Sequence, residues 1–219
     1  MGRLIAVEGL DGAGKNTLVT GLVRRWRERG VAVATVTFPR YHQSLFADVA
    51  AEALHGEHGD LRESVYAMAL LFALDRSAAA PEIRAALESN DVVVADRYVA
   101  SNAAYSAARL AQSADGEVVR WVHDLEFGRL DLPRPDHTLF LAVSADVAMS
   151  RAQARSAGDP TRPRDHYERD ADLQRRVDAT YRELARSGWA SPWTEVADAA
   201  PETLIDLLGA GVDDPNDAR

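Results

Sequence analysis

The run Arg3-Leu4-Ile5-Ala6-Val7-Glu8-Gly9-Leu10-Asp11-Gly12-Ala13-Gly14-Lys15-Asn16-Thr17 decides how this 219-residue chain is read. Leu4 to Val7 is short and apolar, which suits a strand covered on both faces of a parallel sheet. A glycine-rich turn follows, and then Leu18, Val19, Leu22, Val23 and Trp26 recur at helical spacing. Strand, glycine turn and helix in that order make Gly9-x-x-x-x-Gly14-Lys15 a phosphate-binding loop. Glycine lets backbone N–H groups turn inward and approach an anion closely. The helix start adds partial positive charge, and lysine brings a mobile point charge. Ser or Thr usually follows that lysine to hold Mg²⁺. Here the place is taken by Asn16, and a hydroxyl arrives one residue later at Thr17. Of the 25 lysine and arginine residues only Lys15 is lysine. A chain that relies on arginine everywhere else keeps a compact ammonium at this one position.

The length suits one α/β domain with a sizeable core. There is no cysteine, which excludes disulfides, thiol catalysis and cysteine-held metals. The net charge of −9 argues against a nucleic-acid polymer as partner. A small anionic ligand needs only a local cationic pocket and stays compatible with it. No apolar run approaches the ~18 residues of a membrane span. No basic-then-apolar leader precedes the first strand, so the expected compartment is the cytoplasm.

Beyond the first helix, Gly30 is a natural C-cap, and Val31 to Phe38 reads as a second strand closed by Pro39. Ser44 is placed as the cap of a short helix to about His55, and Ser64 as the cap of a longer one from Val65 to about Ala80. Pro81 is expected to break that helix, with a second piece from Glu82 to about Glu88. Val92 to Ala95 is a β-branched central strand ending in Asp96-Arg97-Tyr98. Helices are expected over about Ser101 to Leu110 and Glu117 to Leu130. A fourth strand runs from His137 to Val143, and Ser144 caps a helix to about Arg155. A polar helix from Arg169 to Arg186, a fifth strand from Trp193 to Val196 and a last helix near Pro201 to Leu208 complete the pattern. Five strands alternating with helices predict a doubly wound parallel sheet in one domain over residues 1–212, with an acidic, frayed tail at 213–219. Ligands in such sheets bind at the carboxyl ends of strands, so Gly9–Lys15, Phe38–Tyr41 and Asp96–Tyr98 share one rim.

That rim is rich in cations. Arg40, Arg76 and Arg97 can each meet a phosphate with a bidentate fork. Together with Lys15 they exceed what one triphosphate needs, which points to a second phosphorylated substrate. Spacing alone would put Phe72 in the core. Arg151, Arg155, Arg162 and Arg164 flank a loop with Gly158, Pro160 and Pro163, a segment able to close over a transferring group and exclude water. This lid is placed at about residues 151–168. Asp165-His166-Tyr167-Glu168 follows and offers groups for sugar hydroxyls or a metal. His55, Glu57 and His58 form a metal-like cluster whose spacing suits an exposed turn.

Several pieces fall in one order: Glu8-Gly9-x-Asp11-Gly12-x-Gly14-Lys15-x-Thr17, Phe38-Pro39-Arg40, Phe72-x-x-Asp75-Arg76, Asp96-Arg97-Tyr98 and Ser101-x-x-x-Tyr105. From Leu4 to about Trp193 this set resembles the thymidylate kinase family. The stretches Phe38–Tyr41, Glu52–Asp60, Asp96–Leu110 and Tyr167–Asp170 look most like its mycobacterial and actinobacterial members.

The resemblance implies a P-loop NTPase fold, five parallel strands flanked by helices with a lid. It implies transfer of phosphate from ATP to thymidine monophosphate with Mg²⁺, and a homodimer built on the Val65–Ala80 helix. Carried onto matching positions, Lys15, Arg97 and Arg155 are the catalytic residues. Gly9, Gly12, Ala13, Gly14, Lys15, Asn16 and Thr17 hold the ATP phosphates with Arg151 and Arg155. Asp11 meets the acceptor's 3′-hydroxyl and the metal shell, and Glu168 is the second metal-associated acid. Phe72 stacks on thymine, Arg76 meets a base carbonyl and Asn102 reaches the base. Tyr105 crowds the 2′ position. Arg40, Tyr41 and Arg97 take the monophosphate, and Phe38, Ser101, Asp165 and Tyr167 complete the substrate site. The alternative is another pyrimidine nucleotide or deoxynucleoside kinase of the same fold. A guanine-nucleotide switch would need an Asn-Lys-x-Asp motif, which a chain with Lys15 as its sole lysine cannot contain.

Overall fold

A computed structural model describes residues 1–158, 165–197 and 201–208. The expected lid arginines Arg162 and Arg164 and the tail at 213–219 lie outside the described residues. The sheet has the order β2-β3-β1-β4-β5 and is parallel throughout. Its strands are β1 (Arg3–Glu8), β2 (Val33–Thr37), β3 (Val92–Asp96), β4 (His137–Leu141) and β5 (Trp193–Val196). β1 lies at the centre, with Val7 level with Asp96 of β3 and Glu8 level with Phe140 of β4. This register delivers the loops after β1, β2 and β3 to one edge.

Alternation along the strands builds two cores. Leu4, Ala6, Val93, Ala95 and Phe140 face one side, while Ile5, Val7, Val92, Val94, Leu139 and Leu141 face the other. The second side is covered by α1 (Lys15–Glu28) and α9 (Pro201–Leu208). The first is covered by α3 (Val65–Ser89), α4 (Val99–Arg109), α5 (Glu117–His123) and α8 (Ala171–Ser187). Each fully buried Val, Leu or Ile here contributes roughly 1.5–3 kcal/mol. The remaining helices are α2 (Leu45–Leu54), α6 (Ala145–Gly158) and α7 (His166–Arg169). Among the described residues no helix is long and apolar enough to cross a membrane.

Local chemistry explains the boundaries. After α1, Gly30 takes φ +80, and Val31 N–H donates to the Trp26 carbonyl at 3.0 Å. Ser64 caps α3 by accepting from Ala67 N–H at 3.2 Å. Ser44 stands at the start of α2, but its hydroxyl does not cap and is buried without a partner. Asp165 caps α7 in a reciprocal box with Glu168, and Asp170 caps α8. The polar helix expected over Arg169–Arg186 is α8, which starts after the Asp170 cap and is preceded by the short α7.

Two further expectations are corrected. Pro81 does not end its helix: α3 runs unbroken through it. Ala73, Ala79, Ala80, Ile83 and Leu87 form one buried stripe on both sides of the proline, and Pro81 itself faces solvent. Packing of that stripe outweighs the one hydrogen bond that proline cannot donate. Similarly, α5 does not continue as α-helix to Leu130. From Asp124 to Arg129 it widens into a π-helical turn, where Leu130 N–H donates to the Leu125 carbonyl at 2.9 Å.

Replacing Pro81 by alanine restores the donor toward the Ser77 carbonyl. We expect stability to rise by about 1–3 kcal/mol, read as a higher urea midpoint at unchanged m-value. A lower midpoint would show that the proline's rigidity matters more than its missing N–H.

Candidate active site

The loop between β1 and α1 is shaped for an anion. Gly14 stands before α1 at φ +103, and no acidic residue occupies the first turn. At Gly12 a Cβ would collide with the carbonyl of Ala148 and come within 2.9 Å of Ala152 N, so α6 packs backbone against the loop. Lys15 is buried and folds back, donating from Nζ to the carbonyls of Gly9 at 3.1 Å and Leu10 at 2.9 Å. Burial and then the nearby Arg97 charge lower its ammonium to about 8. Asn16 and Thr17 are exposed on the first turn of α1.

Beside the loop, Arg97 ends β3 with a left-handed backbone at φ +64. A non-glycine residue held there marks strain of the kind found at functional sites. Its Nη2 donates to Asp11 Oδ1 at 2.6 Å, and its Nη1 donates to the Gly9 carbonyl at 3.1 Å and Ser101 Oγ at 3.2 Å. Tyr105 donates to the other Asp11 oxygen at 3.3 Å. Burial works against ionisation of Asp11, but Arg97 and then Lys15 outweigh it and hold the carboxyl well below its usual range. Arg97 in turn is held well above its ordinary value despite burial, chiefly by Asp11.

Glu8 lies beneath this pair, fully buried at the end of β1. Its carboxylate accepts from Tyr98 N at 2.8 Å, Ser101 N at 3.2 Å, Ser101 Oγ at 2.6 Å and Tyr181 Oη at 2.9 Å. Burial raises its pKa against these hydrogen bonds and the Arg97 charge. Glu8 thereby caps the N-terminus of α4 from another strand.

A cleft of about 100 Å³ opens next to Arg97, between α3, α4 and α7. Asp11, Phe38, Tyr41, Phe72, Arg76, Arg97, Ser101, Asn102, Tyr105, Asp165 and Tyr167 all line it. Phe72, which spacing alone would put in the core, is only half-buried and faces this cleft. The rings of Tyr105 and Tyr167 stack at 6.0 Å.

Other expected residues sit elsewhere. Arg40 does not line the cleft: its N–H and Nε donate to Asp75 at 2.9 and 3.2 Å, and Nη1 donates to Glu82 at 3.2 Å. Arg151 and Arg155 are exposed on α6. Arg155 pairs with Glu168 at 3.3 Å. Burial, then the Asp11 and Asp165 charges, push Glu168 up to about 7. Of the expected His55, Glu57 and His58 cluster, His55 turns to the Ala51 carbonyl at 2.8 Å, while His58 meets Glu52 at 2.6 Å on the surface.

Three residues escape the sequence reading. Glu126, fully buried, holds Arg76 in a fork. Glu8 is quoted with the loop but without a role. Arg109 donates to Tyr167 Oη at 2.5 Å and to the Arg62 carbonyl at 2.5 Å, tying α4 to α7 and to the turn before α3. The one available signal was charge placed inside apolar runs.

A phosphate loop, a cationic rim and a separate cleft for a second ligand define a P-loop nucleotide kinase. Residues 7–203 match the family model described as thymidylate kinase, and the chain belongs to that family. It is 58% identical over 206 residues to the thymidylate kinase of Mycobacterium tuberculosis (strain H37Rv), covering 94% of this chain and 96% of that protein. It is 32% identical over 189 residues to a probable thymidylate kinase of Thermococcus gammatolerans, covering 84% of each. A probable thymidylate kinase of Archaeoglobus fulgidus is 33% identical over 158 residues, 72% of each.

Lys15 generates a pH prediction. Its charged form attracts phosphate, and that form is lost as pH rises through about 8 in the free protein. We therefore expect kcat/KM for ATP to fall as pH rises through about 8, because that ratio reports free-enzyme ionisations. A profile flat to pH 10 would contradict the assignment.

Proposed function

We propose that this chain transfers the γ-phosphoryl group of ATP to the 5′-phosphate of thymidine monophosphate, yielding ADP and thymidine diphosphate. The observation that carries the reading is the Arg97–Asp11 pair at 2.6 Å, which joins the phosphate loop to the second cleft. A group leaving the loop meets an acceptor in the cleft without crossing solvent. Phosphoryl transfer asks mainly for alignment and charge neutralisation.

The ATP phosphates lie on the backbone N–H groups of Gly12 to Thr17 and at the start of α1. Lys15 exchanges its two backbone carbonyls for phosphate oxygens. Arg97 and Tyr41 take the acceptor phosphate, and Asp11 receives the 3′-hydroxyl. Tyr105 fills the space a 2′-hydroxyl would need, held by Asp11 and by Tyr167. Phe72 covers the base, whose edge meets Arg76 and Asn102. Arg155 turns from Glu168 toward charge developing on the transferring group, and Arg151 supports it on the same helix. Arg40 anchors the β2 loop through Asp75 and offers its Nη2, which that pair does not use, to the acceptor phosphate.

The donor set suits Mg²⁺. Asp11 and Glu168 are oxygen donors whose charges repel, an effect that adds to burial in lifting Glu168, and a cation between them would relieve that repulsion. Magnesium is held by one or two carboxylates plus substrate phosphates in such sites. Bound there, it would neutralise charge on the phosphates and offset the missing hydroxyl at Asn16. Exposed Tyr66 and Leu70 on α3, with Tyr66 edge-on to Trp121 at 4.9 Å, support a homodimer through that helix. In this reading the enzyme works in the cytoplasm, alongside its nucleotide substrates.

The deciding experiment is ADP release with ATP, with and without thymidine monophosphate. Deoxyuridine and guanosine monophosphates serve as alternative acceptors. Release that does not depend on thymidine monophosphate would sink the reading. Arg97→Ala and Arg155→Ala should each lower kcat by ~10³-fold or more, and near-normal turnover in either refutes that role. Tyr105→Ala should admit thymidine ribonucleotide at least ~10-fold better relative to the deoxy form, and an unchanged ratio removes Tyr105 as gatekeeper.

A further inference from the structure

Asn102 sits at the inner wall of the cleft, on α4. Its Nδ2 donates to the Ala69 carbonyl at 2.9 Å and to Glu126 Oε1 at 2.7 Å. Both partners are acceptors only, so the amide nitrogen has to face them and its two hydrogens are used. Oδ1 is left for a ligand, as an acceptor. Arg76 lines the same wall. Its Nε donates to Glu126 Oε2 at 2.5 Å and its Nη2 to Glu126 Oε1 at 2.8 Å. Nη1 takes no part in that fork and remains a donor. Burial pulls the guanidinium pKa down, and Glu126 raises it above its usual value. One fully buried carboxylate therefore fixes both side chains. It is carried on the π-helical turn at Asp124–Arg129.

We propose that Glu126 is the specificity-determining positioning residue of the base subsite, a deepening that rests on the thymidine monophosphate reading. Glu126 turns Arg76 into a donor and Asn102 into an acceptor, side by side. Thymine and uracil offer the complement along one edge, a carbonyl O4 that accepts and an N3–H that donates. Cytosine offers the reverse, an amino group that donates and an N3 that accepts. Against this wall cytosine meets donor with donor and acceptor with acceptor. Sites built on buried hydrogen-bonding groups reject mismatched ligands by ~10⁴-fold or more. Neither Arg76 nor Asn102 fixes this pattern alone. Without Glu126, Arg76 loses its fork, and Asn102 keeps only the Ala69 carbonyl as a tie against turning its amide to present N–H instead.

The test compares kcat/KM for thymidine and deoxycytidine monophosphates in the wild type, Glu126→Gln and Glu126→Asp. Thermal melts and ATP binding are measured alongside. Binding of N3-methylthymidine monophosphate to the wild type is the reading that needs no variant. We expect the wild type to favour thymidine over deoxycytidine monophosphate by at least ~10³-fold. It should bind the N3-methyl analogue at least ~100-fold more weakly than thymidine monophosphate. Glu126→Gln should reduce the preference by ~10-fold or more through the deoxycytidine arm, with ATP affinity unchanged. If the glutamine variant does not fold, Glu126→Asp reads the same ratio with the charge kept and withdrawn by one methylene. Equal losses for both acceptors would make Glu126 merely structural and overturn the proposal, as would tight binding of the N3-methyl analogue. No transfer to thymidine monophosphate by the wild type would overturn the functional reading instead.

Discussion

The carboxylate of Glu8 is the interaction on which the site's frame depends. It is buried at the carboxyl end of the central strand, where an unpaired charge is among the most expensive things a fold can hold. Four donors offset that cost: two backbone N–H groups at the start of α4, the Ser101 hydroxyl and the Tyr181 hydroxyl of α8. These bonds join β1, the exit of β3, α4 and α8 at one point. Arg97 lies between the Glu8 side chain and the loop, and its left-handed backbone follows from the tie at the next residue, Tyr98. The strain at Arg97 is sustained because the network around it over-determines the turn.

A second buried carboxylate repeats the device one layer further out. Glu126 does for Arg76 and Asn102 what Glu8 does for Tyr98 and Ser101. Removing one partner from such a pair costs more than the pair contributes, because the other charge is left without water or counter-charge. The two acids explain how the cleft walls are held in place. They also show why net charge was a poor guide to the partner. The chain carries −9 overall, yet its functional edge concentrates Lys15, Arg97 and Arg76 above buried acids that neutralise them locally.

Most of the fold was legible in the sequence because its signals are local. Apolar runs such as Val92–Ala95 can only be covered strands, and the glycine loop between Val7 and Leu18 fixes where the first strand ends. The expectation that three strand ends share a rim follows from parallel pairing alone, and the register of Val7 with Asp96 bears it out. What could not be read depends on partners distant in the chain. Pro81 is a local breaker overruled by a stripe of buried alanines and Leu87 that only the assembled core supplies. Glu126 looks like a charge in an ordinary helix until Arg76, 50 residues earlier, is brought against it. Arg40, expected as a phosphate ligand from its position after the second strand, meets Asp75 and Glu82, partners that no local pattern reveals.

The contrast between these cations ranks what each can do when an anion arrives. Lys15 is held by two neutral carbonyls, and charge-assisted hydrogen bonds are roughly twice as strong as neutral ones. A phosphate oxygen would therefore be a stronger partner for Lys15 than either carbonyl. Arg97 shares one carboxylate with two neutral oxygens and spreads its donors over both nitrogens of the fork, so it can add a phosphate while keeping Asp11. Arg40 faces two carboxylates, Asp75 through Nε and Glu82 through Nη1, and neither pair engages its Nη2. The same residue type thus stands in different company at positions 97 and 40, and the difference lies in the acids that face it.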